Sequence, residues 1–157
     1  MLFIVLMLLG GAGAGSYLLL QQVTRNPTAA DVAQRVCTAY TTQNYQLLID
    51  QIDPAPVAGQ NALPTGVSSS GPFNSQVKSE LVDTLKSLDA SAGPVTSCQQ
   101  HQIAFKGTSA RPTSIQFVFT MRRADTPKVA YSAVMNLVRS NSTWKITRDS
   151  NFTSTPG

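Results

Sequence analysis

The single histidine, His101, is the residue of this chain best suited to proton transfer near neutral pH. His101, Ile103 and Phe105 are two positions apart, and in a strand such residues project to the same face, which predicts that His101 lies on the apolar side. A general base needs an orienting partner, and Asp50 or Asp53 are the carboxylates we expect nearest to it. Because glutamines flank His101 on both sides, a solvated and non-catalytic histidine is the alternative. His101 is therefore a weak catalytic candidate, and no other catalytic residue is predicted.

Cys37 and Cys98 are the only two cysteines. The sequence allows a disulfide between the first helix and the first strand, or two small buried thiols. Cys98 is out of alternation with Ile103 and Phe105, so a β-bulge is needed for Cys98 to face the helix. One histidine and two separated cysteines do not form a usual metal-ligand pattern. No phosphate-binding glycine loop or nucleophile elbow is present, so neither a metal nor a cofactor is expected.

Charge is distributed unevenly along the chain. Residues 1–93 carry four basic and six acidic side chains, whereas residues 94–157 carry eight basic and two acidic ones. A basic half could meet an acidic partner, an anionic lipid or nucleic acid, and the alternative is that these are ordinary solvated charges of strand edges and turns. Nucleic acid is not expected, because the basic residues are not interleaved with aromatic ones.

Residues 2–20 form an uncharged apolar run that, as a helix, would be ~28 Å long and could cross a bilayer. We interpret residues 1–22 as a transmembrane anchor or a signal peptide, and residues 23–28 as a linker. A cleaved signal peptide would use Ala12-Gly13-Ala14. The run continues beyond that site through Leu20, which favours the anchor. The remaining chain is then extracytoplasmic and attached to the membrane, or secreted if the leader is cleaved.

Apolar periodicity predicts three helices followed by strands, an α+β arrangement. Thr28 and Asp31 suit a capping box at the start of the first helix. The expected order is three helices packed on a curved four-stranded antiparallel sheet, with these boundaries: helices 29–40, 45–52 and 73–88, a loop over 55–72, a first strand over 95–105, and a meander over 114–149.

The best strand signal is the alternation of Ile115, Phe117, Phe119 and Met121 with polar residues, which predicts one buried face. The opposite face carries three valines among polar side chains: Val118, Val134 and Val138. This mildly apolar outer face is a candidate contact surface for a second copy or for another protein of the cell envelope.

Four features together resemble the nuclear transport factor 2-like superfamily: the first helix, the motif Tyr-x-x-Leu-Ile-Asp-Gln-Ile-Asp-Pro at residues 45–54, the third helix, and the terminal Trp144-Lys145-Ile146. The resemblance covers roughly residues 28–152, which sets the domain at 29–152 and the tail at 153–157. It is strongest to membrane-anchored extracytoplasmic members of unknown function. It implies a conical hollow between helices and sheet, used in the superfamily for binding, assembly or catalysis. This chain has the loop 55–72 where many members have a strand pair.

If that hollow is open, four aromatic residues are expected to line it: Tyr40, Phe117, Phe119 and Tyr131. The expected function is a membrane-anchored extracytoplasmic binding or assembly module without an evident catalytic site. One alternative is a small pocket enzyme of the isomerase or dehydratase type. Another is a structural subunit of an envelope secretion or conjugation complex. A small-molecule ligand is not identified by the sequence.

Overall fold

The computed structural model describes residues 26–55, 72–153 and 155–156. The apolar run 2–20 and most of the loop 55–72 lie outside these ranges. Within them, no helix is long and apolar enough to cross a membrane. The anchor or signal peptide in residues 1–22 therefore stays a prediction.

The first helix, α1 (Ala29–Thr41), begins with the expected capping box. The Thr28 hydroxyl accepts the Asp31 backbone N–H at 3.2 Å, and the Asp31 carboxylate accepts the Thr28 N–H at 2.7 Å. These bonds satisfy backbone groups that the first turn leaves without helical partners. The helix then buries its apolar stripe, including Val36 and Tyr40, against the sheet.

The second helix, α2 (Tyr45–Ile49), is shorter than the predicted segment. The Ile146 N–H donates to the Gln51 carbonyl at 2.8 Å, and the Asp53 N–H donates to the Ile146 carbonyl at 2.8 Å. The chain leaves the helix after Ile49 because these bonds pair it with Ile146, the last residue of the short strand Thr143–Ile146.

The third helix, α3 (Ser75–Ala92), runs four residues past the predicted end at Leu88. The side chain of Asn74 caps its start by accepting the Val77 N–H at 3.0 Å. The helix ends at Gly93, whose φ of 76° favours glycine. A Cβ there would lie 2.7 Å from the Asp125 backbone nitrogen, so a larger residue would not fit.

The sheet is antiparallel, with strand order β1–β2–β3–β4. A short additional strand, β5, pairs with the start of β3, at the opposite end of that strand from β4. The sequence predicted four strands and a tail over 153–157, so this pairing was missed. The strands are β1 (Val95–Thr108), β2 (Arg111–Arg123), β3 (Tyr131–Ser140), β4 (Thr143–Ile146) and β5 (Thr155–Pro156).

One face of the sheet forms the core with the helices. The alternation predicted for β2 is confirmed, since Ile115, Phe117, Phe119 and Met121 are all buried. Their partners on β3 are buried too: Leu137, Met135, Ala133 and Tyr131. The α+β layering expected from the sequence is therefore present.

Candidate functional site

The four aromatic residues expected to line a hollow lie together in the core. Tyr40 and Phe119 have no exposed surface, and Phe117 and Tyr131 are only 5% and 8% exposed. The Tyr40 hydroxyl donates to the Phe152 carbonyl at 2.5 Å, which satisfies this polar group inside the core. The space between helices and sheet is thus filled by the protein's own side chains at these positions.

Phe117 lines a cavity of about 390 Å³ beside the start of α1. Its lining combines apolar residues such as Ile115 and Phe117 with polar ones such as Gln102 and Arg139. Among the described residues that line it there is no carboxylate and no histidine. The lining residues are Asn26, Pro27, Thr28, Ala29, Ala30, Gln102, Pro112, Ile115, Phe117, Arg139, Ser142 and Trp144.

His101 lies on the other face of the sheet. It pairs in register with Val118, whose neighbours Phe117 and Phe119 point into the core, and it is exposed. The predicted alternation, which put His101 on the same face as Ile103 and Phe105, is wrong because the strand register shifts between Gln102 and Ala104. The structure therefore places His101 outside the hollow, and a catalytic role for it stays a prediction.

The two carboxylates considered as partners of His101 have other contacts. Asp50 accepts a hydrogen bond from the Gln46 side chain at 2.8 Å. Asp53 accepts the Ala55 backbone N–H at 2.9 Å. Both carboxylates are at the end of α2 and stabilise local turns there.

The Cys37–Cys98 disulfide predicted as one alternative is formed, with 5.3 Å between the Cα atoms. Cys98 pairs in register with Met121, so it lies on the buried face of the sheet under α1. The expected bulge is the shift after Gln102, which brings Phe105 into register with Ile115. The disulfide fixes α1 to β1, and a hydrogen bond of 3.0 Å between the Gln100 and Gln34 side chains joins the same two elements.

A buried network of charged and polar groups was not predicted. The Arg123 guanidinium, 2% exposed, donates to the Asp89 carboxylate at 2.7 Å and to the Gly93 carbonyl at 2.8 Å. The Tyr45 hydroxyl donates to the same carboxylate. These contacts join α2, α3 and the end of β2.

Burial, together with the hydrogen bond to Asp89, raises the pKa of Tyr45 well above its ordinary value. Burial, followed by the charge of a neighbouring tyrosine, does the same to the pKa of Tyr40. A tyrosine with a raised pKa stays neutral and is a poor proton donor. The network is therefore suited to holding three elements together rather than to acid–base chemistry.

The outer face of the sheet carries the valines predicted there. Val118 pairs directly with Val134, and both are half-buried. Beside them is a groove of about 550 Å³. Gln116 and Asn136 both line it, and the Gln116 amide donates a hydrogen bond of 2.8 Å to the Asn136 side-chain oxygen. The groove is lined by Ala104, Phe105, Lys106, Ser114, Gln116, Asn136, Val138, Thr147 and Asp149.

The far half of β1 is the most exposed part of the described sheet. Every residue from His101 to Thr108 is exposed. Ile103 and Phe105 are the large hydrophobic residues of the described chain that remain uncovered, with 54% and 48% of their surface exposed. An exposed edge strand with apolar side chains can pair with another chain, so this stretch is a candidate contact site.

The described residues contain no group of histidine, cysteine or acidic side chains that could hold a metal ion. No protein-family model and no curated protein sequence matches the chain. Among solved structures, the chain is similar to the Delta 5-3-ketosteroid isomerase from Mycobacterium sp., with 14% identity and a TM-score of 0.44. The match covers 85% of this chain and 100% of that one. At this level, the similarity carries no inference about the activity of this chain.

Proposed function

We propose that this chain is an extracytoplasmic binding or assembly module with a nuclear transport factor 2-like arrangement, anchored in the membrane by residues 2–20. It binds another protein through its sheet. The observation that carries the proposal is the contrast between the two sides of the sheet. On the helix side the core is packed by the protein's own side chains except at the cavity beside the start of α1, whereas the outer face has half-buried valines and the far half of β1 exposes Ile103 and Phe105.

The closed interior favours a binding module over an enzyme that works in the hollow. An active site needs a cleft in which an acid or base reaches the substrate. Here Tyr40 and Phe119 have no exposed surface, and His101 is on the opposite face. The described groups with raised pKa values, Tyr40 and Tyr45, belong to the core.

The disulfide supports an extracytoplasmic location. Disulfides persist in oxidising compartments and are rare in the cytosol, where thiols are kept reduced. The Cys37–Cys98 bond agrees with an apolar leader that inserts into or crosses a membrane. In this location, the partner is another envelope protein, and a subunit role in a secretion or conjugation complex is one form of the proposal.

The outer face has the mixed character of a protein contact surface. Interfaces between proteins combine apolar patches with polar groups that can exchange hydrogen bonds. Val118 and Val134 supply the apolar part, and Gln116 and Asn136 supply amide groups beside it. A second copy of the chain could occupy the same face, and the experiment below separates the two.

A second candidate function is the binding of a small apolar ligand in the 390 Å³ cavity that reaches Phe117. Aromatic and aliphatic lining with a few polar groups at the rim is typical of ligand sites. Isomerase or dehydratase chemistry would in addition need a general base, and the described lining offers none. Binding without catalysis is the form of this candidate that the cavity supports.

Site-specific photo-crosslinking in cells that naturally make the chain tests the main proposal. A photoreactive amino acid at Thr120, on the outer face beside Val118, is expected to give a discrete adduct with a different protein. The matched control is the same amino acid at Asp83, an exposed residue of α3, which is expected to give none. Adducts only with a second copy, or equal adducts from both positions, would contradict the proposal.

A further inference from the structure

The free edge of β1 is the feature that points to a specific kind of partner. In the described sheet β1 pairs with β2 alone, so the backbone groups along its other edge have no strand beside them. Natural sheets protect such edges with bulges, charges or covering elements, because an open edge pairs readily with another extended segment. The half of β1 from His101 to Thr108 has register shifts after Gln102 and after Lys106 and the charge of Lys106, but it still leaves Ile103 and Phe105 uncovered.

The charge of the β1–β2 hairpin limits what can pair there. Residues 95–124 contain no aspartate or glutamate, but they contain Lys106, Arg111, Arg122 and Arg123. Arg123 is buried and paired with Asp89, whereas the other three are exposed. Lys106 and Arg111 lie at the exposed half of β1, whereas Arg122 pairs in register with Ser97 at the other end of the strand, and Asp149 lines the groove beside Lys106. A segment that carries acidic side chains complements Lys106 and Arg111.

A second copy of the chain fits this edge poorly. A second copy would bring the same two basic side chains, Lys106 and Arg111, to this end of the hairpin, and its own hairpin offers no acidic side chain to pair with them. Like charges placed opposite each other across paired strands are destabilising. Charge complementarity thus favours a different protein over self-pairing.

We propose that the exposed half of β1 binds an extended, acidic segment of a partner protein by strand addition, with apolar side chains of that segment covering Ile103 and Phe105. Backbone hydrogen bonds along the free edge hold the segment, and side chains select it. Lys106, next to Phe105, supplies a charge that selects for acidic sequences. This inference rests on the proposed function, since it names the chemistry of the partner that the module binds.

Peptide binding to the purified full chain in detergent micelles tests the inference. The probe is a labelled synthetic peptide in which glutamate alternates with valine, and fluorescence anisotropy reports its binding. We expect it to bind roughly tenfold more tightly than a peptide in which lysine replaces glutamate, and the difference should shrink as salt is added. A version that is N-methylated throughout its backbone should not bind, because it cannot pair with the edge.

Two charge reversals of the same size locate the site. Lys106→Glu is expected to remove the preference for the acidic peptide, whereas Lys86→Glu, an exposed change on α3, should leave it unchanged. Phe105→Ala should weaken both peptides. All three positions are exposed, so the fold should be retained, and circular dichroism checks this.

Three results would overturn the inference. They are equal binding of the acidic and basic peptides, equal effects of the two charge reversals, and self-association of the full chain that Phe105→Glu abolishes. If neither peptide binds while the photoreactive residue at Thr120 still crosslinks a different protein, the edge-strand inference is wrong and the proposed function is retained. If the adduct is absent as well, both fall.

Discussion

Loss of the Cys37–Cys98 disulfide should destabilise the domain by an amount that the sequence separation sets. The bond links residues 61 positions apart. In the chain-entropy description, closing a loop of that length removes freedom from the unfolded chain worth about 4 kcal/mol. Residual structure in the unfolded chain lowers the effect, so we expect a loss of about 2–4 kcal/mol in the free energy of unfolding.

The assay is urea unfolding of the full chain in one detergent, with and without reductant. Trp144 is the only tryptophan and is half-buried on β4, so its fluorescence reports the sheet. At a urea dependence of about 2 kcal/mol per molar, the midpoint should fall by about 1–2 M on reduction. The Cys37→Ala/Cys98→Ala double variant should behave like the reduced chain and should not respond to reductant. Equal midpoints for oxidised and reduced chains would refute the reasoning.

The buried network, the core and the two buried tyrosines give three further predictions. Arg123→Met leaves the Asp89 carboxylate, whose side chain is only 12% exposed, without its cation and should cost about 3 kcal/mol, whereas Lys86→Met on the surface should cost little in the same urea assay. Phe119→Ala opens a cavity in the closed core and should cost about 3–5 kcal/mol, and a loss below ~1 kcal/mol would mean that the hollow is not packed. Folding raises the pKa of Tyr40 and Tyr45, so above the unfolded value of about 10 the unfolded chain releases protons first and stability falls with rising pH. Tyr45→Phe should flatten this alkaline loss of stability in urea midpoints measured across pH, and an unchanged slope would contradict it.

The parts of the fold that depend on local patterns were predictable. Strand alternation identified the buried face of β2 because side chains there project to opposite sides in turn, and Phe119 is fully buried as expected. The capping box at Thr28 was also predictable from local sequence, because its two hydrogen bonds join residues only three positions apart. The disulfide could be offered only as one of two alternatives, because pairing depends on how α1 lies over β1.

The parts that depend on distant contacts were not predictable. The shift after Gln102 reverses the alternation within β1, so His101 faces outward although its pattern with Ile103 suggested otherwise. The Arg123–Asp89 pair joins residues 34 positions apart, and no local pattern marks it. Likewise, α2 ends early because the following residues pair with Ile146, which lies far along the chain.

The central claim is that the chain works through its sheet surface and not through its interior. The most direct measurement is the size of the complex that contains the chain, after mild solubilisation of membranes from cells that naturally make it. Two variants are compared: Val118→Asp on the outer face and Phe117→Leu on the buried face, each checked for an intact fold and disulfide. We expect Val118→Asp to release the chain from the complex and Phe117→Leu to leave the complex unchanged. Loss of the complex in Phe117→Leu, with retention in Val118→Asp, would contradict the account.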